Sequence, residues 1–463
     1  MTLTKQNGDA PPSCEPPQIY RLGTLQYTTR GLVALFAWLL WGDFCFQMFE
    51  SVVPRFVPLY LKELRASNVL IGIMTSGVIG VMNVAFLPWI STWSDRTRSP
   101  RGRRIPFLLW ATPGTAATLF LIGFVPEIGG WLQGHVFARF WGLPKEAVTL
   151  VLLCVFIVLY HFFNMVLNAI YYCLFRDVVP DKVLNRFLAL FRIVGTLGGF
   201  VFSRYFLGHI MEHRQITFFG FSLLCLVSFW SMCWRIREGD YPPLPPRERE
   251  KGGTLHVFFK HFRDCFSVPI YRYYYIAQMF LWLTRPIYAF WILLATDTLK
   301  LDLDLSGKIL GWSLLLQAFL YLPTGYLCDR YHAIRIVIAS AALNVVVMLA
   351  SYFLIHNDVT LLIYTLLAQI PVVWLGLGEM SLGMKLFNGE RYGQLSSNIF
   401  VVGCGSSIFG STLLGYLIDA AGTYQVIFLW NFVVCVLASV ALFFVYREWK
   451  RLGGDLNYAA PLP

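Results

Sequence analysis

The amino-acid sequence predicts an all-α membrane protein of twelve transmembrane helices, arranged as two six-helix halves with both termini in the cytoplasm. Three observations predict this. Of 463 residues, 57% are hydrophobic and only 14% charged, against about 25% charged in soluble proteins, which leaves too few charges to cover a water-facing surface. Apolar runs of the roughly 20 residues needed to cross a bilayer recur along the whole chain. Lysine and arginine gather in alternate loops, the bias that marks the cytoplasmic side.

The runs lie near 31–61, 69–91, 105–125, 147–175, 187–210 and 216–234, then near 270–296, 306–328, 334–355, 359–387, 395–420 and 424–446. Lipid tolerates no unsatisfied backbone, so such runs are helices; the alternating ten-residue strands of a barrel are absent. With the N-terminus inside, the inner segments hold 26 of the 37 Lys and Arg and the outer loops hold 8. The net charge of +11 is then a topological signal, whereas nucleic-acid binding needs a contiguous basic face on a soluble domain. Trp and Tyr, 15 and 23 in number, supply interface anchors. The ten Cys, among them Cys45, Cys154, Cys225, Cys404 and Cys435, lie mostly in apolar runs with no C-x-x-C pair and read as small apolar fillers. Residues 1–30, with Pro11, Pro12, Pro16 and Pro17 and no apolar core, read as a cytoplasmic tail without a cleavable signal peptide.

Residues 235–269 are rich in Pro, Gly and charge, the composition of a linker. They separate a first half, 31–234, from a second, 270–446, which is followed by a cytoplasmic tail at 447–463. The loop after span 2, PWISTWSDRTRSPRGRRIPF, and the loop after span 8, PTGYLCDRYHAIRI, each place Pro near a helix end, then Asp-Arg, then further basic residues. Asp95 and Asp329 stand 234 positions apart, about half the chain. One Asp-Arg is an ordinary charged loop. Two at matching topology mark an internal repeat, and such repeats point to a carrier with its site between the halves. The carboxylates can cap a helix N-terminus or pair with Arg of the same loop, locking the halves at the cytoplasmic end.

The segment SDRTRSPRGRRIPF resembles the motif after span 2 of the glycoside-pentoside-hexuronide:cation symporters and the related sucrose–proton symporters of the major facilitator superfamily. Here Asp95-Arg96 is followed by five residues, then Gly102-Arg103-Arg104, Pro106 and Phe107. FRDVVPDKVLNRFLALFRIVGTLGG is similar to the span 4–5 region of that family, and REGDYPP to the start of its central loop. The resemblance covers the first half and the linker and is thinner in the second half. It implies the major facilitator fold and alternating-access symport of a sugar or glycoside with a proton or sodium. Where the melibiose-permease type carries acids in several first-half helices for sodium, this chain has only Asp43 and Glu50 well inside those spans. The expected cytoplasmic gate comprises Asp95, Arg96, Gly102, Arg103, Arg104, Asp177, Arg186, Arg192, Asp329, Arg330 and Glu379. Arg192 is expected to pair with Asp177, and Glu379 with an arginine of the first half.

An ionised side chain at the bilayer centre costs about 2.5–3.5 kcal/mol on insertion scales and normally faces a cavity or a partner. Asp43 lies about twelve residues into span 1, roughly 18 Å at 1.5 Å per residue. Glu50 is two turns further on the same face. The two are the expected cation-coupling residues; for Glu50 the alternative is an outer ion pair with Arg55. Arg285, past mid-depth in span 7, is placed to pair with Asp43 or Glu50 across a cavity or to grip substrate oxygens with its planar fork. In span 4, His161, Asn164 and Asn168 share one face, with Tyr171 and Tyr172 a turn further, and Asn amides suit sugar hydroxyls because they both donate and accept. Asn83, Gln317, Gln369 and Trp374 complete the expected substrate set, although any single one is more often a helix–helix contact. Gly195, Gly198 and Gly199 in span 5, and Gly403, Gly405, Gly410 and Gly415 in span 11, read as close-packing positions.

No G-x-x-x-x-G-K-[ST] loop is present to cradle phosphate, and no cluster has metal-ligand spacing. The expectation is a monomeric, proton-coupled sugar or glycoside symporter of the plasma membrane, not an enzyme. Its partners are the small-molecule sugar, the coupling proton or sodium and the lipid bilayer, with no nucleic acid and no cofactor. The alternatives are a carrier of an anionic sugar or organic acid, clamped by Arg285, and a sugar sensor with a transporter fold.

Overall fold

The structure is a computed structural model that describes residues 20–137, 144–241, 266–387 and 392–461. Among these residues twelve helices are long and apolar enough to cross a membrane. Spans 1 to 6 are Thr29–Glu63, Asn68–Arg96, Ile105–Gly123, Lys145–Val178, Lys182–Tyr205 and Arg214–Arg235. Spans 7 to 12 are Pro269–Thr298, Leu303–Cys328, Ala333–Leu354, Asp358–Leu386, Leu395–Ala421 and Val426–Arg451. Span 5 begins and ends about five residues before the apolar run. The charged segment after Pro180 continues the helix, and the chain leaves it at Phe206 for a single tight turn at Leu207–His209.

Spans 1 and 7 are not continuous. Span 1 divides at Ser51 into Thr29–Glu50 and Val52–Glu63. Pro54 has no N–H to offer the Glu50 carbonyl one turn back, and the Arg55 guanidinium donates to the Ser51 carbonyl at 3.0 Å. Span 7 divides between Pro269–Trp282 and Ile287–Leu293, with Pro286 capping the second piece. The Leu283 carbonyl freed by that break accepts from the Trp430 indole at 2.8 Å. The first span of each half is thus broken, span 1 at Ser51 and span 7 before Pro286.

The packing repeats with an offset of six spans. In the first half, span 1 packs on spans 5 and 6, span 3 on spans 4 and 6, and span 2 on span 4. In the second half, span 7 packs on spans 11 and 12, span 9 on spans 10 and 12, and span 8 on span 10. Between the halves, span 5 packs on span 8, span 2 on span 11, and the second piece of span 1 on the second piece of span 7. Twelve spans put the start of the first, Thr29, and the end of the last, Arg451, at one end, with the arginine-rich 94–104 loop.

At the opposite end the halves are bonded to each other. The Asp419 carboxylate accepts from the Asn68 amide side chain at 2.6 Å and from the backbone N–H groups of Asn68 and Val69 at 3.3 and 3.4 Å. Tyr424 Oη donates to Asn68 Oδ1 at 2.8 Å. Lys62 sits over the Tyr424 ring and 3.9 Å from Asp297. Gly415 lets this approach happen, because a Cβ there would strike the Asn68 backbone.

The expected N-terminal tail carries structure in its described part. Tyr20–Leu22 and Leu25–Tyr27 form an antiparallel hairpin, and Thr24 accepts from the Asp240 N–H at 2.8 Å. Residues 1–19, and residues 242–265 of the expected linker, lie outside the described residues.

Candidate functional site

Spans 1, 5 and 8 line an open-sided cavity of about 270 Å³ between the halves. Span 1 contributes Asp43, Gln47, Ser51 and Arg55; span 5 contributes Arg192, Gly195, Thr196 and Gly199; span 8 contributes Leu314, Gln317 and Tyr321. The spacing explains the alignment. Residues 43, 47, 51 and 55 recur every fourth position, and 192, 195, 196 and 199 follow the three-four rhythm, so each set forms one helix face. Asp43 is fully buried at the cavity wall; Gln47, one turn along the same helix, lies beside its carboxylate, and neither oxygen has a well-formed hydrogen bond among the described residues. Span 5 comes this close because position 195 is glycine: a Cβ there would stand 2.6 Å from Asp43 Oδ2. Gln317 donates to Tyr321 Oη at 3.0 Å across the cavity wall.

A second polar cluster lies in the second half. The Arg285 guanidinium stacks on the Trp282 ring, 3.6 Å from its centroid, and lies 4.0 Å from the Glu379 carboxylate. Arg285 is half exposed, whereas Gln278 is fully buried beside the Glu379 carboxylate, its amide without a well-formed hydrogen bond among the described residues. Glu379 Oε1 is likewise buried and unpartnered.

The third group ties the arginine-rich loop to its own half. The Arg103 guanidinium makes a two-point contact with Asp177 at 2.9 and 2.6 Å, and Arg104 Nε donates to Asp177 at 3.0 Å. Arg104 also donates to Ser94 Oγ at 2.8 Å and pairs with Asp95. Asp177 holds the Arg103 guanidinium above its ordinary pKa through these hydrogen bonds. The Glu238 carboxylate then accepts from the backbone N–H groups of Arg103, Arg104 and Ile105 at 2.9, 2.8 and 2.7 Å. Those are orphan donors at the start of span 3, where a negative charge is favoured. Gly102 makes the turn with φ +103, and Glu238 packs against it so closely that no Cβ fits. Tyr241 donates to Glu238 at 2.8 Å and lies under Arg103. Burial and the Glu238 charge push the Tyr241 phenol well above its usual range.

Several expected positions have other neighbours. Arg192 is exposed in the cavity and does not meet Asp177, which is taken by Arg103 and Arg104. Glu379 meets Arg285 of its own half rather than a first-half arginine, and Arg285 therefore does not reach across to Asp43 or Glu50. No ion pair joins Glu50 to Arg55 among the described residues; Arg55 lies over the Phe202 ring, and Glu50 accepts from Asn168 at 3.4 Å. The span 4 face is engaged with its own half: His161 Nε2 contacts the Met74 carbonyl at 3.1 Å, in the π-helical turn Ile73–Gly77, and Asn168 is on Glu50. Asn164 is buried with its Oδ1 unpartnered. Gln369 bonds within its own helix to Thr365 at 3.4 Å. Asn83 and Trp374 are half-buried on spans 2 and 10. The described bonds of the Asp95 loop, expected to lock the halves together, run within the first half. Arg96 is half-buried, Arg186 exposed, and Arg330 donates to Tyr326 at 3.2 Å, while the Asp329 side chain lies outside the described residues.

Sequence reading missed Gln47, Ser51, Arg55, Thr196 and Tyr321 at the cavity, Glu238 at the loop and Asp419 at the opposite end. For span 1 the signal was present: a polar residue every fourth position from Asp43 to Arg55. Glu238 was visible only inside REGDYPP, a resemblance with no role attached.

Two pseudo-equivalent six-helix halves with a polar cavity between them define a membrane carrier of the major facilitator type. The chain belongs to the family described as MFS/sugar transport protein, which it matches over residues 39–391. It is a multi-pass membrane protein of that superfamily. Solved structures agree in fold. The nucleoside transporter NupG is 12% identical, covering 89% of this chain and 100% of that one, with a TM-score of 0.68. A bacterial homologue of the iron transporter ferroportin in an inward-facing state is 16% identical, covering 89% and 99%, with a TM-score of 0.65. A bacterial homologue of the human lysosomal transporter Spinster, inward-facing and occupied, is 11% identical, covering 93% and 98%, with a TM-score of 0.64. A search of curated protein sequences finds no match.

Proposed function

We propose that the protein is a cation-coupled symporter of a sugar or glycoside that works by alternating access, with a proton as the coupling ion and Asp43 as its carrier. The termini, the Asp95 loop and the linker are cytoplasmic, and the bonded end at Asp419 faces outward. The observation that carries this reading is Asp43 itself: a buried carboxylate at a cavity between the halves, beside Gln47 of its own helix and with no well-formed hydrogen bond to either oxygen among the described residues. A carboxylate left so is costly when ionised and stable when protonated. Access from alternate sides then converts its protonation into transport. The family match to sugar transport proteins supports the substrate class. Gln47, Gln317 and Tyr321 offer amide and phenol groups to hydroxyls, and Arg285 beside Trp282 offers a second contact in the other half.

The test is sugar-induced proton uptake in proteoliposomes, wild type against Asp43→Asn. The expected result is loss of accumulation against a gradient with retained sugar exchange. Full accumulation in the variant removes Asp43 from the coupling role. Absence of exchange by the folded wild type would favour a sensor instead.

A further inference from the structure

The cavity of spans 1, 5 and 8 contains two guanidinium groups and one carboxylate, and the carboxylate is sealed in the wall. Arg192 is exposed, attracts the Asp43 carboxylate through space, and has no carboxylate within ion-pair distance among the described residues. Arg55 spends one N–H on the Ser51 carbonyl and lies over Phe202, again without a carboxylate within ion-pair distance among the described residues. The third arginine well inside the spans, Arg285, does have its counter-ion, Glu379. Glu50 turns away from the cavity toward Asn168. Arginine in the middle of a membrane protein is retained at a cost, and a guanidinium with free N–H groups facing a cavity is a fork for carboxylate or phosphate oxygens. Phe202 lies ten residues along span 5 from Arg192, about 15 Å at 1.5 Å per residue. The two cations therefore mark the two ends of the cavity, too far apart to grip one small anion together.

We infer that the transported solute carries a carboxylate or phosphate group, that Arg192 receives this group at one end of the cavity, and that Arg55 receives it at the other. This deepens the sugar-transport reading and rests on it: the solute is a sugar-sized anion, and the two arginines set the preference for it over the neutral sugar. Gln47, Thr196 and Gln317 between the two stations serve the hydroxyls. Arg192 and Arg55 act here by binding substrate, and no bond is made or broken.

Counterflow in proteoliposomes tests this with three probes: glucose, glucuronate and glucose 6-phosphate. The wild type is expected to exchange glucuronate or glucose 6-phosphate at least tenfold better than glucose, and which of the two wins identifies the anionic group. Arg192→Gln is expected to raise the half-saturating concentration of the anion about tenfold to a hundredfold, and Arg192→Lys to recover part of it, since the charge remains and the fork is lost. Arg55→Gln should weaken the anion similarly, and monodisperse elution from size exclusion confirms that each variant is folded. Equal or better exchange of glucose, with Arg192→Gln leaving it unchanged, overturns the inference while leaving the sugar symport reading intact. Exchange of none of the three by folded wild type overturns both.

Discussion

The two ends of the molecule are bonded in opposite senses. At the end remote from the termini, Asp419, Asn68, Tyr424, Lys62 and Asp297 bond one half to the other. At the basic end the described network of Asp95, Arg103, Arg104, Asp177, Glu238 and Tyr241 holds spans 2, 3, 4 and 6 of the first half to one another. Charge is used in both places, but differently. One cluster joins the two halves, and under the proposed alternating access it would come apart for that same end to open. The other ties four spans of one half to one another. The Asp-Arg loop, which in sequence looks like a gate, is bonded within its own half among the described residues.

The largest expected effect comes from breaking this first-half brace. Asp177 is only 8% exposed at its side chain and bonds two arginines, one of them 6% exposed. Removing one partner of a buried pair leaves the other charge uncompensated, at a cost of about 3–5 kcal/mol. Asp177→Ala should therefore lower the denaturation midpoint of the detergent-solubilised protein clearly, read by tryptophan fluorescence. A loss under about 1 kcal/mol would mean that the network is surface charge and the brace does not exist.

The next effect belongs to the opposite end. Asp419→Ala removes the acceptor of hydrogen bonds from Asn68 and Val69, and charge-assisted bonds of this kind contribute about 1.5–3 kcal/mol. Stability should change little, because the bonds hold a state rather than a fold. The population should change instead, by about tenfold to a hundredfold toward opening at that end. A cysteine at Gln47 in a background freed of reactive cysteines reports this: a membrane-impermeant maleimide added at the face opposite the termini should label it faster in Asp419→Ala. Equal labelling would show that apolar packing, not Asp419, keeps this end shut.

The difference between the ends also explains what the sequence could and could not reveal. The twelve helices were legible because lipid imposes one requirement, about twenty apolar residues with satisfied backbone, and hydropathy reads it directly. Asp43 was legible for the same reason, since a carboxylate in such a run is an exception that needs a cause. Partners were not legible. Asp177 has Arg103, Arg104 and Arg192 within reach of any sequence argument, and only the fold decides that the first two take it. The span 4 face of His161, Asn164 and Asn168 was correctly periodic, but periodicity does not say whether a face meets a cavity or a neighbouring helix. Asp419 at the end of span 11 and Asn68 at the start of span 2 are 351 positions apart, so no local pattern links them. The helix breaks at Ser51 and before Pro286 had a local sign in Pro54 and Pro286, yet both lie within apolar runs that read as continuous spans.

The smallest effect sharpens the comparison within the basic end, between the halves. Glu238 follows span 6 and holds the start of span 3; Asp455 follows span 12 and bonds Arg335, near the start of span 9, at 2.5 Å. The two acids are counterparts by position but not by bonding. Glu238 accepts from three backbone N–H groups, which have no other acceptor if it is removed. The Asp455 and Arg335 side chains are 46% and 43% exposed, so water replaces each for the other, and such pairs contribute about 0–1 kcal/mol. Asp455→Ala should therefore shift the denaturation midpoint barely, and raising salt to about 1 M, where the screening length falls to about 3 Å, should remove what shift there is. Glu238→Ala should cost about 1–3 kcal/mol and keep most of that at high salt, because its partners are fixed amides beside a buried arginine. If the two variants behave alike, the first half is no more rigidly braced than the second, and the asymmetry between them is one of geometry without energetic weight.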